Sequence, residues 1–554
     1  MAKHDKIMSE IVALCKRRGF IFQSSEIYGG LNACWDFGPL GVEMKNNIKR
    51  AWWRSMVQLR QDVEGLDAAI LMHPRVWEAS GHIGGFVDMM RSCKYCKRLL
   101  REDQVWPMIE ESKWYNSLMD MYRRGAAVTG VELKHWGETK AKKLAPNLAI
   151  ARNPSVTISW LAERLERVTD LAETNMHELV QYLATEQLLQ TGLVTPCPYC
   201  GGDLADSRPF NLMFKTNMGA VENEENTVYL RPETAQGIYV NYQNVMVTMR
   251  QRPPFGIAQI GKAFRNEISP GNFIFRSREF EQMEMQFFVN PKEADKWFEY
   301  WREQRWNWYL EMGFSPEKIH WHQHGAGELA HYAKAAFDVE FDFPFGTKEL
   351  EGVHNRGDFD LTRHQQYSGK NLEYNDTVGN EKYIPFIIET SGGVDRCALA
   401  VLCDAYTVEP ERGSVVSTPL NDQSSRSLSG VEGNAPKTEM RTVLKMHPKL
   451  SPIKAGVFPL VKKDGMPEVA MEICTELRKS FMVFYDEKDS IGRRYRRMDE
   501  AGTPFCVTVD GQTLQDKTVT IRERDTMVQV RVKIDEIAKM IEEYTENWKR
   551  DGGI

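Results

Sequence analysis

The stretch "GKAFRNEISPGNFIFRSREFEQMEMQFF" (residues 261–288) decides the fold. Two runs of apolar and amide residues flank a loop with Pro and Gly, which predicts a β-hairpin around a Pro-Gly turn. Arg265 and Glu267 are expected to share a face of the first strand. On the second strand, alternation separates two faces, with Arg278, Phe280, Gln282 and Glu284 on one and Glu281, Met283, Met285 and Phe287 on the other.

The first of these faces has the chemistry of a nucleotide site. Arginine binds phosphate with a rigid fork, phenylalanine stacks on a base, and carboxylates take an amine or a metal. The alternative for this hairpin alone is a solvated surface held by salt bridges. Glu279 and Glu281 have no role in the nucleotide interpretation.

The rest of the chain divides by composition into segments that predict an α+β protein. Strand-like runs joined by a hairpin indicate an antiparallel sheet flanked by helices, and the C-terminal alternation of strands and helices predicts a small α/β domain. A polar, helical stretch and a Ser/Gly/Pro-rich linker interrupt this order. The expected boundaries are 1–103, a helical insertion at 104–196, a core at 197–407, a linker or loop at 408–440, and the α/β domain at 441–554.

Composition restricts the setting of the protein. The chain of 554 residues carries a net charge of −6 and shows neither a signal-peptide pattern nor a run long enough to span a membrane. We therefore expect a cytoplasmic protein without membrane partners, whose nucleic-acid contacts come from local basic patches. Its ten cysteines indicate thiols or metal ligands rather than a disulfide framework.

A second motif, "YIPFIIETSGGVDRCALAVLCDAY" (383–406), adds to the hairpin. It predicts a buried strand, then a junction at Ser391, Gly392 and Gly393, then a helix that carries Arg396 about one turn in. Glycine permits close backbone approach, and a helix N-terminus favours anions. Ordinary packing is the alternative for such a junction by itself.

Together the two motifs resemble motifs 2 and 3 of class II aminoacyl-tRNA synthetases. Several short motifs resemble the dimeric branch of this class that is specific for glycine. They are "SSEIYGGL", "WDFGPLGVEMKNNI", "RPETAQGIYVNY", "GKAFRNEISP", "HNRGDFDL", "IETSGGVDR" and "GTPFCVTVD". The resemblance implies a catalytic domain with motif 1 in residues 1–103, motifs 2 and 3 in 197–407, and an anticodon-binding domain in 441–554. It also implies a homodimer that binds tRNA(Gly), glycine, and ATP with Mg²⁺.

The resemblance assigns the nucleotide contacts. Arg265 and Arg396 would bind the α- and γ-phosphates and, with Glu267, form the catalytic set; Glu267 would hold the adenine amine and Phe280 would stack on its ring. Glu349 matches a position that binds ATP or Mg²⁺. The full implied ATP set is Arg265, Asn266, Glu267, Phe275, Arg276, Arg278, Phe280, Glu349, Leu350, Gly393 and Arg396.

For glycine, the family holds the ammonium with several carboxylates and excludes larger amino acids by bulk. The implied glycine set is Arg101, Glu233, Gln282, Glu284, Glu389, Ser391 and Gly393, with Arg231 and Arg356 as secondary contributors or structural partners. Glycine would attack the α-phosphate to give glycyl-adenylate, and a ribose hydroxyl of the terminal tRNA adenosine would then take the glycyl group. No protein nucleophile is needed, so positioning and electrostatics supply the rate.

Cysteines at two distant places suggest zinc. Cys93 and Cys96 form one Cys-x-x-Cys pair and Cys197 and Cys200 another, as in structural Zn²⁺ sites; paired reduced thiols are the alternative. The remaining cysteines are expected to be core residues. In the C-terminal domain, Arg493, Arg494, Arg496 and Arg497 surround Tyr495, either as an RNA contact or as part of a helix packed on a strand.

Two rival functions stay open at this point. One is activation of a different amino acid, such as proline, threonine or histidine, by the same class of enzyme. The other is a non-catalytic, synthetase-like accessory protein that binds nucleic acid.

Overall fold

The computed structural model describes residues 2–123, 128–164, 176–185, 193–220, 222–268, 271–325, 334–410 and 440–550. The Pro-Gly turn at Pro270 and residues 411–439 of the expected linker lie outside this part. The described residues form two compact units, which are considered separately below. The first comprises 1–80, 215–265 and 271–554, and the second comprises 81–214 and 266–270.

A large, mostly antiparallel sheet is the centre of the first unit. Its strand order is β11-β12-β13-β16-β10-β9-β3, and only the β3–β9 pair within it is parallel. The strands are β3 (Val63–Gly65), β9 (Phe255–Phe264), β10 (Glu279–Val289), β11 (Ile319–Gln323), β12 (Ala335–Phe343), β13 (Gly346–Gly357) and β16 (Phe386–Gly393).

Helices cover both faces of this sheet. The apolar face packs against α1 (Ala2–Arg18), α2 (Pro39–Trp53), α14 (Ala294–Glu311) and α16 (Val394–Ala405) in one hydrophobic core. Shorter helices border the polar face: α3 (Pro74–Ala79), α12 (Ala235–Val240), α13 (Tyr242–Thr248) and α15 (Phe359–Ser368). The expected antiparallel sheet with flanking helices is confirmed.

Small antiparallel hairpins surround the large sheet. They are β1 (Ile21–Gln23) with β2 (Trp35–Phe37), β7 (Lys215–Asn217) with β8 (Thr227–Tyr229), β14 (Tyr374–Asp376) with β15 (Glu381–Tyr383), and β17 (Tyr406–Pro410) with β18 (Met440–Leu444). Because β17 pairs with β18, the two ends of the expected linker lie side by side.

The C-terminal part has the expected α/β pattern. Its sheet runs β20-β19-β21-β22-β23, with β19 parallel to both β20 and β21 and the last two pairings antiparallel. The strands are β19 (Ala455–Pro459), β20 (Val483–Tyr485), β21 (Phe505–Val509), β22 (Thr518–Glu523) and β23 (Gln529–Lys533), and the helices are α17 (Met466–Leu477), α18 (Ile491–Ala501), α19 (Thr513–Asp516) and α20 (Ile537–Asn547).

The second unit has its own core. A small sheet has the order β5-β4-β6, formed by β4 (Val87–Ser92), β5 (Leu99–Arg101) and β6 (Arg208–Asn211). Its helices are α4 (His82–Gly85), α5 (Glu102–Glu111), α6 (Lys113–Tyr122), α7 (Gly130–Trp136), α8 (Lys142–Leu144), α9 (Ala149–Arg152), α10 (Pro154–Arg164) and α11 (Met176–Ala184). Buried Trp114, Leu133 and Leu148 belong to this core, so the polar segment packs around an interior of its own.

None of the helices in the described ranges is long and apolar enough to cross a membrane.

Candidate active site

The large sheet has one apolar and one polar face. On β10, Met283, Met285 and Phe287 are buried in the core, whereas Gln282, Glu284 and Gln286 alternate with them. Strand register places Glu284 opposite Ser391 and Gln286 opposite Glu389 on β16. The alternation expected for β10 is therefore present, and it lines up a row of polar side chains across neighbouring strands.

Two of these polar side chains are buried carboxylates that share a donor. Glu284 is 2% exposed and Glu389 is 5% exposed. The Gln286 Nε2 donates to Glu284 Oε1 and to Glu389 Oε2, both at 2.9 Å. The Thr234 hydroxyl donates to the other oxygen of Glu284. One amide nitrogen thus holds the two carboxylates close together.

The two carboxylates differ in charge state. Burial, followed by the negative charges of Glu389 and Glu233, raises the pKa of Glu284 to about 8. Burial acts in the same direction on Glu389, but Arg356 and His354 outweigh it and hold its pKa at about 2. At neutral pH the free site therefore keeps Glu389 ionised, while Glu284 holds its proton.

A cation network supports Glu389 from the β13 side. Arg356 NH1 lies 2.8 Å from Glu389 Oε2, and its Nε lies 2.8 Å from Asp360 Oδ2. Gln236 connects Asp360 to a third candidate carboxylate: its Nε2 lies 3.5 Å from Asp360 Oδ1 and donates to Glu233 Oε1 at 2.9 Å. Arg356 is therefore a direct partner of a candidate glycine-binding carboxylate.

Small polar groups complete this region. The Thr234 backbone N–H donates to Gln282 Oε1 at 3.1 Å, and Gln282 Nε2 donates to Ser391 Oγ at 3.4 Å. The atoms nearest to a Cβ added at Gly393 would be those of the Arg396 side chain, at 3.5 Å or more, so packing within the protein does not require glycine there. The structure thus brings together Glu233, Gln282, Glu284, Glu389, Ser391 and Gly393 of the expected glycine set.

The expected order of strand, glycine junction and helix is present. Ser391, Gly392 and Gly393 pair with Glu284, Met283 and Gln282, so they are the last residues of β16, and α16 starts directly at Val394.

A second group of expected site residues gathers around Arg396. Its NH1 lies 3.0 Å from Glu349 Oε2. Its guanidinium stands 4.6 Å from the Phe275 ring centroid, and its Nε lies 3.4 Å from the Phe275 carbonyl. Leu350, in contrast, is 1% exposed and belongs to the hydrophobic core.

Arg265 and Phe280 form a third group. The Arg265 guanidinium lies 5.3 Å from the Phe280 ring centroid, and its Nε donates to the Pro232 carbonyl at 3.0 Å. Arg278 donates to the Asn32 carbonyl at 2.9 Å, and the side chain of Arg276 is partly exposed. The prediction that Arg265 and Glu267 share a strand face was wrong, because β9 ends at Phe264 and both residues follow it.

The acids left without a role on the hairpin form ion pairs. Glu279 pairs with Lys262 of the neighbouring strand. Glu281 lies 2.8 Å from Lys45 of α2, and the same Lys45 lies 2.8 Å from Asp395 of α16. Lys45 therefore ties α2 to Glu281 of the hairpin and to Asp395 of the helix that carries Arg396.

Arg231 is a structural residue in this arrangement. It is 2% exposed and donates to the carbonyls of Lys262 and Ala68, both at 2.7 Å. A Cβ at Gly261 would lie 2.2 Å from its guanidinium. Of the two secondary contributors, only Arg356 reaches the carboxylates.

Sequence reasoning missed several residues of the polar face. Thr234, Gln286 and His354 contact the carboxylates directly, and none of them was expected in the site. Gln286 has the same strand parity as Glu284, which was an available signal. For His354 there was no such signal, because its contact with Glu389 depends on the register between β13 and β16, which the sequence of β13 does not show.

Three further site candidates lie in the second unit. Arg101 lies 3.0 Å from Asp103 and 3.6 Å from Asp88. Asn266 donates its backbone N–H to the Leu212 carbonyl at 2.7 Å, and Glu267 follows it in the chain.

The two cysteine pairs come together in this unit. The ligand atoms of Cys93, Cys96, Cys197 and Cys200 all lie within 4.8 Å of one another. Each pair makes a tight turn in which a backbone N–H returns to the first cysteine carbonyl, from Lys97 at 3.1 Å and from Gly201 at 2.8 Å. Lys97 and Gly201 both have positive φ. Four thiolates at this separation fit a tetrahedral Zn²⁺ ion.

The basic cluster of the C-terminal domain lies on α18, and its residues point to different sides of this helix. Arg494 is 3% exposed and donates to the Pro459 carbonyl at 2.7 Å, while the Tyr495 hydroxyl bonds Thr508 at 2.7 Å. Arg497 pairs with Asp486 at 2.8 Å, and Arg493 points outward. Arg494 and Tyr495 thus pack the helix onto the sheet, in line with the second interpretation of this motif.

Comparison with known proteins connects these features. Residues 214–406 match the model of the tRNA synthetase class II core domain (G, H, P, S and T), and residues 454–544 match that of the anticodon binding domain. The chain is 47% identical to a glycine–tRNA ligase of Treponema denticola, with 99% of this chain and 100% of the relative covered. Glycine–tRNA ligases of Borreliella burgdorferi (43%, with 98% and 99% covered) and Chlorobaculum tepidum (45%, with 96% and 99% covered) are also similar.

Proposed function

Because this chain belongs to the glycine–tRNA ligase family of class II synthetases, we propose that the polar face of its large sheet binds glycine and ATP and forms glycyl-adenylate. The chain is a ligase that joins glycine to tRNA(Gly). The observation that carries the site proposal is the cluster of Glu233, Glu284 and Glu389 beside the end of β16.

In this proposal the carboxylates bind the ammonium of glycine. Each carboxylate has two oxygens and about four lone-pair positions, and Glu284 uses two of them for Thr234 and Gln286. Once Glu284 has released its proton, its remaining positions accept the incoming ammonium. Gln282, Ser391 and Gly393 border the glycine α-carbon and would exclude larger amino acids by bulk, and the family resemblance also assigns Arg101 to glycine binding.

ATP occupies the neighbouring surface. Arg265 binds the α-phosphate, Arg396 the γ-phosphate, and Phe280 stacks on adenine, which Glu267 holds by its amine. Asn266, Phe275, Arg276, Arg278, Gly393 and the Leu350 main chain complete the contacts. The class uses ATP with Mg²⁺, and Glu349 would hold the ion, which neutralises phosphate charge. Arg396 then exchanges its Glu349 partner for phosphate.

The reaction needs only positioning and charge. A glycine carboxylate oxygen forms a bond to the α-phosphorus while the bond to the β-phosphate breaks, and pyrophosphate leaves. A ribose hydroxyl of the terminal tRNA adenosine then attacks the glycyl carbonyl, and AMP leaves. Arg265 and Arg396 stabilise the charge that develops on the phosphates.

Zinc, dimerisation and location complete the proposal. The four-cysteine group binds a structural Zn²⁺, two copies associate through motif 1 around α2, and the enzyme works in the cytoplasm. All ten cysteines are free, as a reducing compartment favours. Metal analysis and gel filtration of the purified chain test the first two points, and cell fractionation tests the third.

ATP–pyrophosphate exchange tests the reaction itself. The purified protein should catalyse exchange with glycine and not with proline, threonine, histidine, alanine or serine, and it should then charge tRNA(Gly). Exchange with another amino acid would refute the glycine assignment. No exchange with any amino acid would favour a nucleic-acid-binding accessory role.

A further inference from the structure

A histidine outside every assigned set connects the glycine-binding carboxylates to the edge of the sheet. His354 on β13 is the direct cross-strand neighbour of Glu389 on β16. Its Nδ1 lies 2.8 Å from Glu389 Oε1, and its Nε2 lies 3.8 Å from Asp338 Oδ1 on β12. The other oxygen of Asp338 lies 2.8 Å from Nε2 of His324, the residue that follows β11. A chain of alternating acids and histidines therefore ends on Glu389.

The partners of Glu389 divide between its two oxygens. Arg356 NH1 and Gln286 Nε2 both contact Oε2, at 2.8 Å and 2.9 Å. In the part of the chain that the structure describes, His354 is the donor that contacts Oε1. Because a carboxylate rotates about one bond, contacts at Oε2 alone leave the direction of Oε1 free. His354 fixes that direction.

The charge of the ring suits this role. Burial lowers the pKa of His354, but Asp338 and Glu389 outweigh it and raise the pKa to about 9. The ring is therefore an imidazolium at neutral pH, and both of its nitrogens donate. A charge-assisted hydrogen bond to Glu389 at 2.8 Å and an ion pair with Asp338 at 3.8 Å hold the ring between two strands.

The backbone leaves space for the ring. A Cβ at Gly352, two residues before His354 on the same face, would lie 2.6 Å from the ring Cε1, 2.8 Å from its Nε2 and 3.4 Å from Asp338 Oδ1. Any larger residue at position 352 would displace the imidazole from Asp338. Since Gly352 has no positive φ, the close approach of the ring is the reason for glycine there.

We propose that His354 is a positioning residue for glycine binding: anchored by Asp338 over Gly352, it holds Glu389 Oε1 in the direction from which this carboxylate accepts the glycine ammonium. This inference rests on the proposed function of Glu389. It adds Asp338 and Gly352 as the groups that set the position of His354.

The test is ATP–pyrophosphate exchange with the full-length enzyme, in which KM for glycine, KM for ATP and kcat are measured separately. His354→Gln removes the charge and the fixed ring geometry, and it should raise KM for glycine about tenfold or more, as expected for loss of a charged hydrogen bond. KM for ATP should stay within about twofold. Asp338→Asn and Gly352→Ala should raise KM for glycine in the same selective way.

A double variant shows whether Asp338 acts through His354. Asp338→Asn combined with His354→Gln should raise KM for glycine no more than His354→Gln alone, because residues on one path are not additive. His320→Gln is the matched control. His320 of β11 forms a similar pair with Asp342 of β12, at 2.8 Å but with an exposed ring, and its loss should leave both KM values unchanged.

Several results would overturn the proposal. A wild-type KM for glycine in folded His354→Gln would do so, as would equal rises in both KM values. If His354→Gln does not fold, Asp338→Asn decides, and an unchanged KM for glycine in it rejects the inference. Absence of glycine-dependent exchange in the wild type is a different result, because it rejects the proposed function itself.

Discussion

Glycine binding should depend on pH through one carboxylate. The pKa of Glu284 is raised to about 8, first by burial and then by the charges of Glu389 and Glu233. The free site therefore holds a proton on Glu284 at neutral pH, and binding of the glycine ammonium requires its release. The affinity of the enzyme for glycine should therefore rise with pH, because only ionised Glu284 binds the ammonium and this form is scarce below the pKa of Glu284.

The magnitude follows from the fraction of Glu284 that is ionised. This fraction is about 3% at about pH 6.5 and about 50% at about pH 8, so the apparent affinity for glycine should improve about 15-fold across this range. Glu389 adds nothing to the change, since Arg356 and His354 keep its pKa at about 2. Glycine itself keeps its ammonium throughout.

The assay is KM for glycine in ATP–pyrophosphate exchange at a series of pH values, with KM for ATP measured in the same buffers. Glu284→Gln should bind glycine more weakly and show a flat profile, because the titrating group is gone. Calorimetry in two buffers of different ionisation enthalpy should also detect release of a proton on binding. A wild-type KM for glycine that does not change over this range would refute the reasoning.

Three further outcomes are expected. Arg396→Ala should lower kcat/KM for ATP about 10- to 100-fold in pyrophosphate exchange while KM for glycine changes little, because a charged phosphate contact is lost; equal effects on both substrates would contradict this. Cys197→Ser should abolish zinc measured by atomic absorption, whereas Cys34→Ser should retain it; no zinc in the wild type would reject the metal site. Arg305 and Glu351 form a buried pair at 2.6 Å with side chains 2% and 0% exposed, so Glu351→Gln should cost about 3–5 kcal/mol in urea unfolding. Arg305→Met with Glu351→Leu should recover most of that loss, and a cost of Glu351→Gln below about 1 kcal/mol would contradict the argument.

Much of the site could be predicted because short-range patterns carried it. Alternation along β10 separated Met283 and Met285 from Glu284 without knowledge of any partner strand. Spacing within each Cys-x-x-Cys pair indicated two metal knuckles, and the structure brings all four sulfurs together. Both features depend on residues a few positions apart, where backbone geometry fixes the direction of side chains.

Other features could not be predicted, because they depend on strands that are distant in the sequence. The role of Glu281 was open until α2 brought Lys45 to it across more than 200 residues. The pairing of Gly392 and Gly393 with β10, which extends β16 through the glycines, also depends on a strand about a hundred residues away. Composition gave no indication of either contact.

The sequence by itself determined which residues of β10 share a face and that the core is an antiparallel sheet flanked by helices. The tertiary structure decided how the polar side chains of the site are arranged. Register between β10, β13 and β16 sets Gln286 between two acids and His354 against one of them. The reason is physical: periodicity fixes the direction of a side chain, whereas a pKa or a hydrogen bond depends on which neighbour lies within about 3 Å.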